Sequence, residues 1–223
     1  MFPPRWAGLT TGPPRVTIAG MTTADLRIVS LLPAATEIAW ALGLGDRLVG
    51  RSHECDWPAE ATCLPALTCP RVDPDASSHE IHEAVGRAVT AEPGTSTAIF
   101  DLDIDGLAAL EPDVILTQVT CDVCAIAGDD VAQAVRRSEH VCHVISLSAT
   151  SLVGLWADIL TVGRETGRIA QARELIARLQ ARCHSVDYRV RSLAHRGAPR
   201  PRVAVIEWLD PPMAAGNWVP ELV

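Results

Sequence analysis

From Leu26 to Leu147, short runs rich in Val, Ile and Leu alternate with stretches of helical spacing, and this alternation restricts the fold more than any other feature of the chain. RIVSLL, DRLVGR, TAIFDL, DVILTQV and HVCHVISL read as strands. TEIAWALGLG, His79 to Ala91 and Asp129 to Ser138 carry helical spacing between them. Such alternation predicts a parallel sheet with helices on both faces, an α/β lobe. Pro33 suits the first turn of the first helix, and Leu42-Gly43-Leu44-Gly45 ends it.

From Ser151 to about Leu193 the chain reads as one long, nearly uninterrupted helix, broken once near Gly163 and Gly167. Leu155, Ile159, Val162, Ile169, Leu175, Ile176 and Leu179 supply its apolar stripe. Ten of the 19 arginines lie from Arg164 to Arg202, mostly on the polar side, and read as a solvated face. RGAPRPR then breaks the helix, and RVAVIEWLDPP reads as a new strand running into a turn. Only 21 residues follow Arg202, too few for a second core. The expectation is a truncated product or fragment, ending just after a second α/β lobe has begun. Its segments are 1–25, a disordered extension or wrongly assigned start; 26–150, the lobe; 151–197, the connecting helix; and 198–223, the first strand and turn of an incomplete second lobe.

Composition removes several function classes. All 19 basic residues are arginine, so no phosphate-loop, Schiff-base or general-base lysine exists. With 19 basic against 27 acidic residues the formal charge is −8, which argues against a nucleic-acid partner. Seven cysteines, an odd number without regular spacing, read as mostly free thiols. No apolar run reaches eighteen residues, so no transmembrane segment is expected. The first twenty residues lack the apolar stretch of a signal peptide, and the chain as written reads as cytoplasmic. GxSxG, HExxH and a post-strand GxGxxG are all missing, so the expectation is no enzyme. Asp101, Asp103 and Asp105 read as a strand end and a helix cap.

Ligands of open parallel sheets bind at the carboxyl ends of the strands, so the loops after the strands hold the candidate residues. After RIVSLL comes a helix start, Pro33, Ala34 and Thr36, whose backbone N–H groups can face an anion, or which serves only as a helix entry. After DRLVGR come His53, Glu54, Cys55, Asp56 and Trp57. There an imidazole and a thiolate could hold a metal, and an indole could lie under a planar ligand. After DVILTQV come Cys121, Asp122 and Cys124, a CxxC pair that suits metal sharing, disulfide exchange or burial. If the two loops adjoin, His53, Cys55, Cys121 and Cys124 could converge on zinc or iron. Glu207, Trp208 and Trp218 follow the first strand of the second lobe; if the lobes close, the two indoles face the same opening and offer stacking surface, and otherwise they are core or interface residues. Cys63, Cys69, Cys142 and Cys183 read as packing residues.

Taken in order, RIVSLLPAATEIAWALGLGDRLVGRSHECDWP, LEPDVILTQVTCDVC, a long helix and PRVAVIEWLDPPMAAGNWVPELV resemble one family. It is the periplasmic-binding-protein-like family that captures cobalamin and iron-siderophores for ABC importers, and within it the cobalamin-binding branch carrying SHECD and CDVC. The resemblance implies two α/β lobes joined by a backbone helix, with a ligand in the cleft and no catalysis. It also implies that the protein is exported and membrane-anchored, and that it docks on an importer permease through surface carboxylates. Cleft contacts would come from the Pro33–Thr36 turn, the His53–Trp57 loop, Cys121 to Cys124, Glu207, Trp208 and Trp218. Cobalamin or a related corrinoid is then the expected ligand, with His53 or a thiolate as axial contact to cobalt and no other cofactor required. The alternatives are a cytoplasmic metal-binding protein built on the His/Cys cluster and a CxxC thiol-redox enzyme.

Overall fold

The computed structural model describes residues 25–89, 99–118, 128–137 and 141–223. Its first strands are β1 (Ile28–Ser30), β2 (Leu48–Arg51), β3 (Thr68–Pro70), β4 (Phe100–Leu102), β5 (Val114–Gln118) and β6 (His143–Leu147). The helices among and after them are α1 (Pro33–Ala41), α2 (Ser78–Val89), α3 (Ile104–Ala109), α4 (Gly128–Arg137), α5 (Leu152–Glu165) and α6 (Ile169–His195). The chain ends in a hairpin of β7 (Ile206–Leu209) and β8 (Pro212–Ala214), followed by the single turn α7 (Val219–Leu222).

The main sheet is parallel, in the order β2-β1-β5-β6. Alternation along its strands divides the core in two, because successive side chains point to opposite faces. Ile28, Val114, Leu116, Ile145 and Leu147 join Ile38 and Leu42 of α1, Ile159 and Val162 of α5 and Leu175 of α6. Val29 and Ile115, one residue out of phase, join Leu31, Leu67, Leu107 of α3 and Val131 and Ala134 of α4. Helices on both faces make the α/β lobe that the strand pattern predicts.

Two expectations are corrected and one is located. The TAIFDL run is not a member of the parallel sheet: β4 pairs antiparallel with β3, a three-residue strand too short to show any period in the sequence. The break expected near Gly163 and Gly167 is present: α5 stops at Glu165 and Gly167 takes φ +72°, a left-handed conformation open to glycine. Gly163 is no breaker, but a buried contact where α5 meets α6; a Cβ there would come within 2.5 Å of the Ala172 Cβ.

Beyond Leu179, α6 leaves the core, and Val186, Tyr188, Val190 and Leu193 are exposed. The β7–β8 hairpin is exposed along most of its length, and it and α7 each make a hydrogen bond to the lobe. The Trp208 indole donates to the Ser78 carbonyl at the start of α2 (3.2 Å), and the Leu152 N–H at the start of α5 donates to Glu221 (3.2 Å). Asp103 caps α3 by accepting from the Gly106 N–H (2.8 Å), as the DLDID reading expects. Among the described residues no helix is long and apolar enough to cross a membrane.

Candidate functional site

Because β1, β2, β5 and β6 are parallel, their carboxyl ends share one edge, marked by Ser30, Arg51, Gln118 and Leu147. The loops leaving that edge are where an open α/β sheet binds ligands. The loop after β5 holds Cys121, Asp122 and Cys124 and lies outside the described residues, so the CxxC reading and the four-residue metal cluster have no placement. Among the described residues no three His, Cys, Asp or Glu side chains come together as a metal site.

The loop after β2 is pinned from below. Arg51 donates from one guanidinium nitrogen to the Ser52 carbonyl (2.9 Å) and the His53 carbonyl (3.2 Å), and from the other to the Thr62 carbonyl (3.2 Å). The Ser52 N–H donates to the Ser30 carbonyl (2.9 Å), tying the loop to β1. Thr68 of β3 completes the frame: its hydroxyl donates to Ser52 Oγ (3.0 Å) and accepts from the His53 N–H (3.0 Å). All of these bonds but the one between the Thr68 and Ser52 hydroxyls hold backbone, so little of the loop's backbone is left to order when a ligand arrives.

The pinning sorts the predicted residues by depth. Cys55 is fully buried, beneath the loop rather than on it. Thr36 is buried beside it and donates to Ser30 Oγ (2.8 Å), with Cys55 Sγ at 3.0 Å. Burial pushes the Cys55 thiol above its ordinary pKa, and the Thr36 hydroxyl only partly offsets this. A thiol so placed is a poor nucleophile and a poor metal ligand. His53 is half-buried, with Nδ1 2.6 Å from Thr68 Oγ1 and its ring edge-on to Phe100 at 5.1 Å between centroids. Glu54 and Asp56 are exposed, Trp57 is 65% exposed, Pro33 is exposed, and Ala34 is half-buried at the neighbouring helix start. The layer facing solvent is therefore Pro33, Glu54, Asp56 and Trp57, over a floor of Thr36, Cys55 and Ser30.

The C-terminal residues form a second group. Glu207 and Trp218 line an open concavity of about 320 Å³ with Val205, Ile206, Gly216 and Asn217. Glu207 accepts from the Gly216 N–H (3.2 Å), which holds the hairpin closed. Trp208 does not line that concavity, since its indole turns toward the start of α2.

Sequence reading missed three participants. Arg51 and Thr68 brace the loop, and neither stands out in a motif. The third is the loop after β6, held by Asp158 of α5, whose carboxylate accepts from the Ala149 N–H (2.9 Å) and the Ser148 N–H (3.1 Å). Its signal was available: Asp158 stands between Leu155, Ile159 and Val162 on the apolar stripe, where a carboxylate needs a reason. Of the remaining cysteines, Cys142 packs against the second core cluster, with its thiol pushed up to about 12 by burial and by the nearby Asp113. Cys183 is half-buried, while Cys63 and Cys69 are exposed and do not pack as expected.

An open parallel sheet whose strand ends carry a pinned loop tipped by an indole is built to meet a ligand at that edge. Residues 28–219 match the periplasmic binding protein family, and the chain belongs to that family. Over 41 residues it is 50% identical to the vitamin B12-binding protein of Photorhabdus laumondii, covering 18% of this chain and 15% of the relative. Over 35 residues it is 57% identical to the vitamin B12-binding protein of Vibrio parahaemolyticus, covering 16% and 13%. A periplasmic heme-binding protein from Pseudomonas aeruginosa superposes with TM-score 0.58 at 18% identity, over 81% of this chain and 52% of that one. One from Roseiflexus sp. does so with TM-score 0.54 at 22% identity, over 81% and 54%. At those identities the likeness is one of fold. The chain spans about half the length of these solved structures.

Proposed function

We propose that this chain captures a corrinoid, cobalamin or a close relative, and delivers it to the permease of an ABC importer without catalysis. The ligand lies on the carboxyl-end edge of the sheet. Pro33, Ala34, Glu54, Asp56 and Trp57 meet it from the first lobe, and Glu207 and Trp218 meet it from the C-terminal segment. The observation that supports the ligand class most is the 35 to 41 residues that are 50% and 57% identical to vitamin B12-binding proteins. The site chemistry agrees with it. Trp57 holds an exposed indole on a loop whose backbone is already fixed, so a wide, flat-faced ligand gains apolar contact at small ordering cost. Glu54 and Asp56 accept hydrogen bonds and suit the amide arms of a corrin ring. The reading places the protein outside the cytoplasmic membrane, where periplasmic binding proteins work.

The test is gel filtration after incubation with hydroxocobalamin or with hemin, followed by the visible spectrum of the protein peak. Corrin colour at about one per chain is expected, and Trp57→Ala should weaken retention about tenfold, as loss of a central aromatic contact does. A peak that is colourless with hydroxocobalamin and coloured with hemin would transfer the ligand class to heme. A peak colourless with both would overturn the reading for this chain.

A further inference from the structure

We propose that Trp208 is a positioning residue and not a ligand contact: together with Glu221 it fastens the C-terminal segment to the lobe, which holds Glu207 and Trp218 where the ligand meets them. This rests on the corrinoid reading above. Burial along β7 singles Trp208 out, because it alone is half-buried and its strand neighbours are exposed. Adjacent residues of a strand send their side chains to opposite sides, so Glu207 turns to the concavity and Trp208 turns away from it. The single indole proton is shared between the Ser78 carbonyl of α2 (3.2 Å) and the Asp210 carbonyl in the hairpin turn (3.0 Å). One bond closes the turn and the other ties it to the lobe. An indole N–H so committed has no donor left for a ligand.

Both anchors rest on held structure. Ser78 opens α2, whose start is fixed by a reciprocal cap: the Ser77 N–H and hydroxyl donate to the Glu80 carboxylate (2.9 and 2.7 Å), and the Glu80 N–H donates to Ser77 Oγ (3.3 Å). His79 Nδ1 stands 3.8 Å from the Asp210 carboxylate at the same place. The second anchor is Glu221 of α7, which accepts from the Leu152 N–H in the first turn of α5 (3.2 Å). An N–H there has no partner within its own helix, and a carboxylate is favoured at a helix start. α5 follows β6, at one edge of the main sheet, whereas α2 follows β3, whose chain meets β2 at the other edge through the Arg51–Ala66 bridge. The anchors therefore come from opposite ends of the strand order, and Trp218 lies between them in sequence. The other strand residues of the hairpin are exposed, so the anchors fix a segment that a ligand would otherwise have to order.

Calorimetric titration of cyanocobalamin into the full chain and its variants separates positioning from contact. Trp208→Phe should weaken binding about tenfold, and so should Trp218→Ala. Because Trp208 acts by holding Trp218, the second loss is contained in the first, and adding Trp218→Ala to Trp208→Phe should cost less than about twofold more. Trp57→Ala, on the lobe, should still cost about tenfold in the Trp208→Phe chain, as an independent contact does. Glu221→Ala should repeat the pattern from the other anchor. Glu221→Gln, whose amide oxygen still accepts from Leu152, should bind within about twofold of the unaltered chain. Losses that multiply when Trp208→Phe and Trp218→Ala are combined overturn the positioning role and leave the corrinoid reading standing. So does a Trp208→Phe or Glu221→Ala variant that binds as the unaltered chain does. No binding by the unaltered chain overturns both.

Discussion

Thr36 and Cys55 share the floor of the candidate site, and what they do there is decided by one hydroxyl. Replacing Thr36 with Val keeps the volume but leaves the Ser30 hydroxyl and the Cys55 thiol buried beside a methyl group. The expected cost is about 1–3 kcal/mol, read from denaturant unfolding, because Ser30 Oγ, which still donates to the Leu32 carbonyl, loses its buried donor without becoming solvated. Depth and elevated pKa also predict a labelling pattern. At about pH 8, iodoacetamide should modify the exposed Cys63 and Cys69 and spare Cys55 and Cys142, as peptide mass mapping will show. The density of reactive side chains in His53–Trp57 was legible in the sequence, but their depth was not. Cys55 and His53 are two residues apart in one loop, and only the Arg51 and Thr68 bonds send one inward and hold the other near the surface.

At the scale of elements, α5 and the loops around it carry two predictions. Gly163→Ala places a methyl group where the Ala172 Cβ stands only 2.5 Å away, so α5 and α6 must separate; a loss of about 1–3 kcal/mol is expected in thermal or urea unfolding. Asp158 is different because burial raises its pKa in the folded state, outweighing the backbone N–H groups of Ala149 and Ser148 that favour the charge. A carboxyl with a raised folded pKa contributes fully only below its unfolded value, and that contribution is lost as pH rises through the folded one. Asp158→Asn, which does not titrate, should therefore gain on the unaltered protein between about pH 4 and pH 7. Urea unfolding of both proteins at the two pH values measures this, and a gap that narrows or reverses in that direction would refute the account of Asp158. Strands and helices were legible here because Val- and Ile-rich runs and 3.6-residue spacing persist over enough residues. The three-residue β3 has no room for a period, and of the two glycines at which a break was legible, Gly163 and Gly167, spacing does not reveal that Gly167 alone makes it.

For the whole molecule, the core packs both faces of the sheet and leaves the strand-end edge as the proposed place for the ligand. The family followed from the order of RIVSLLPAATE, SHECDWP and EWLDPP along the chain, which is a property of the whole sequence and not of any one motif. Packing could not be read in the same way, since the exposed run of Val186, Val190 and Leu193 has the helical spacing of a buried stripe. The central claim is that a flat corrin ring rests on the loop tipped by Trp57. It is tested most directly by calorimetric titration of cyanocobalamin into the chain and into its Trp57→Ala variant. The account predicts one site per chain, a negative heat-capacity change from apolar burial, and about tenfold weaker binding in the variant. Equal binding by the two proteins, or no heat of binding in either, would contradict it.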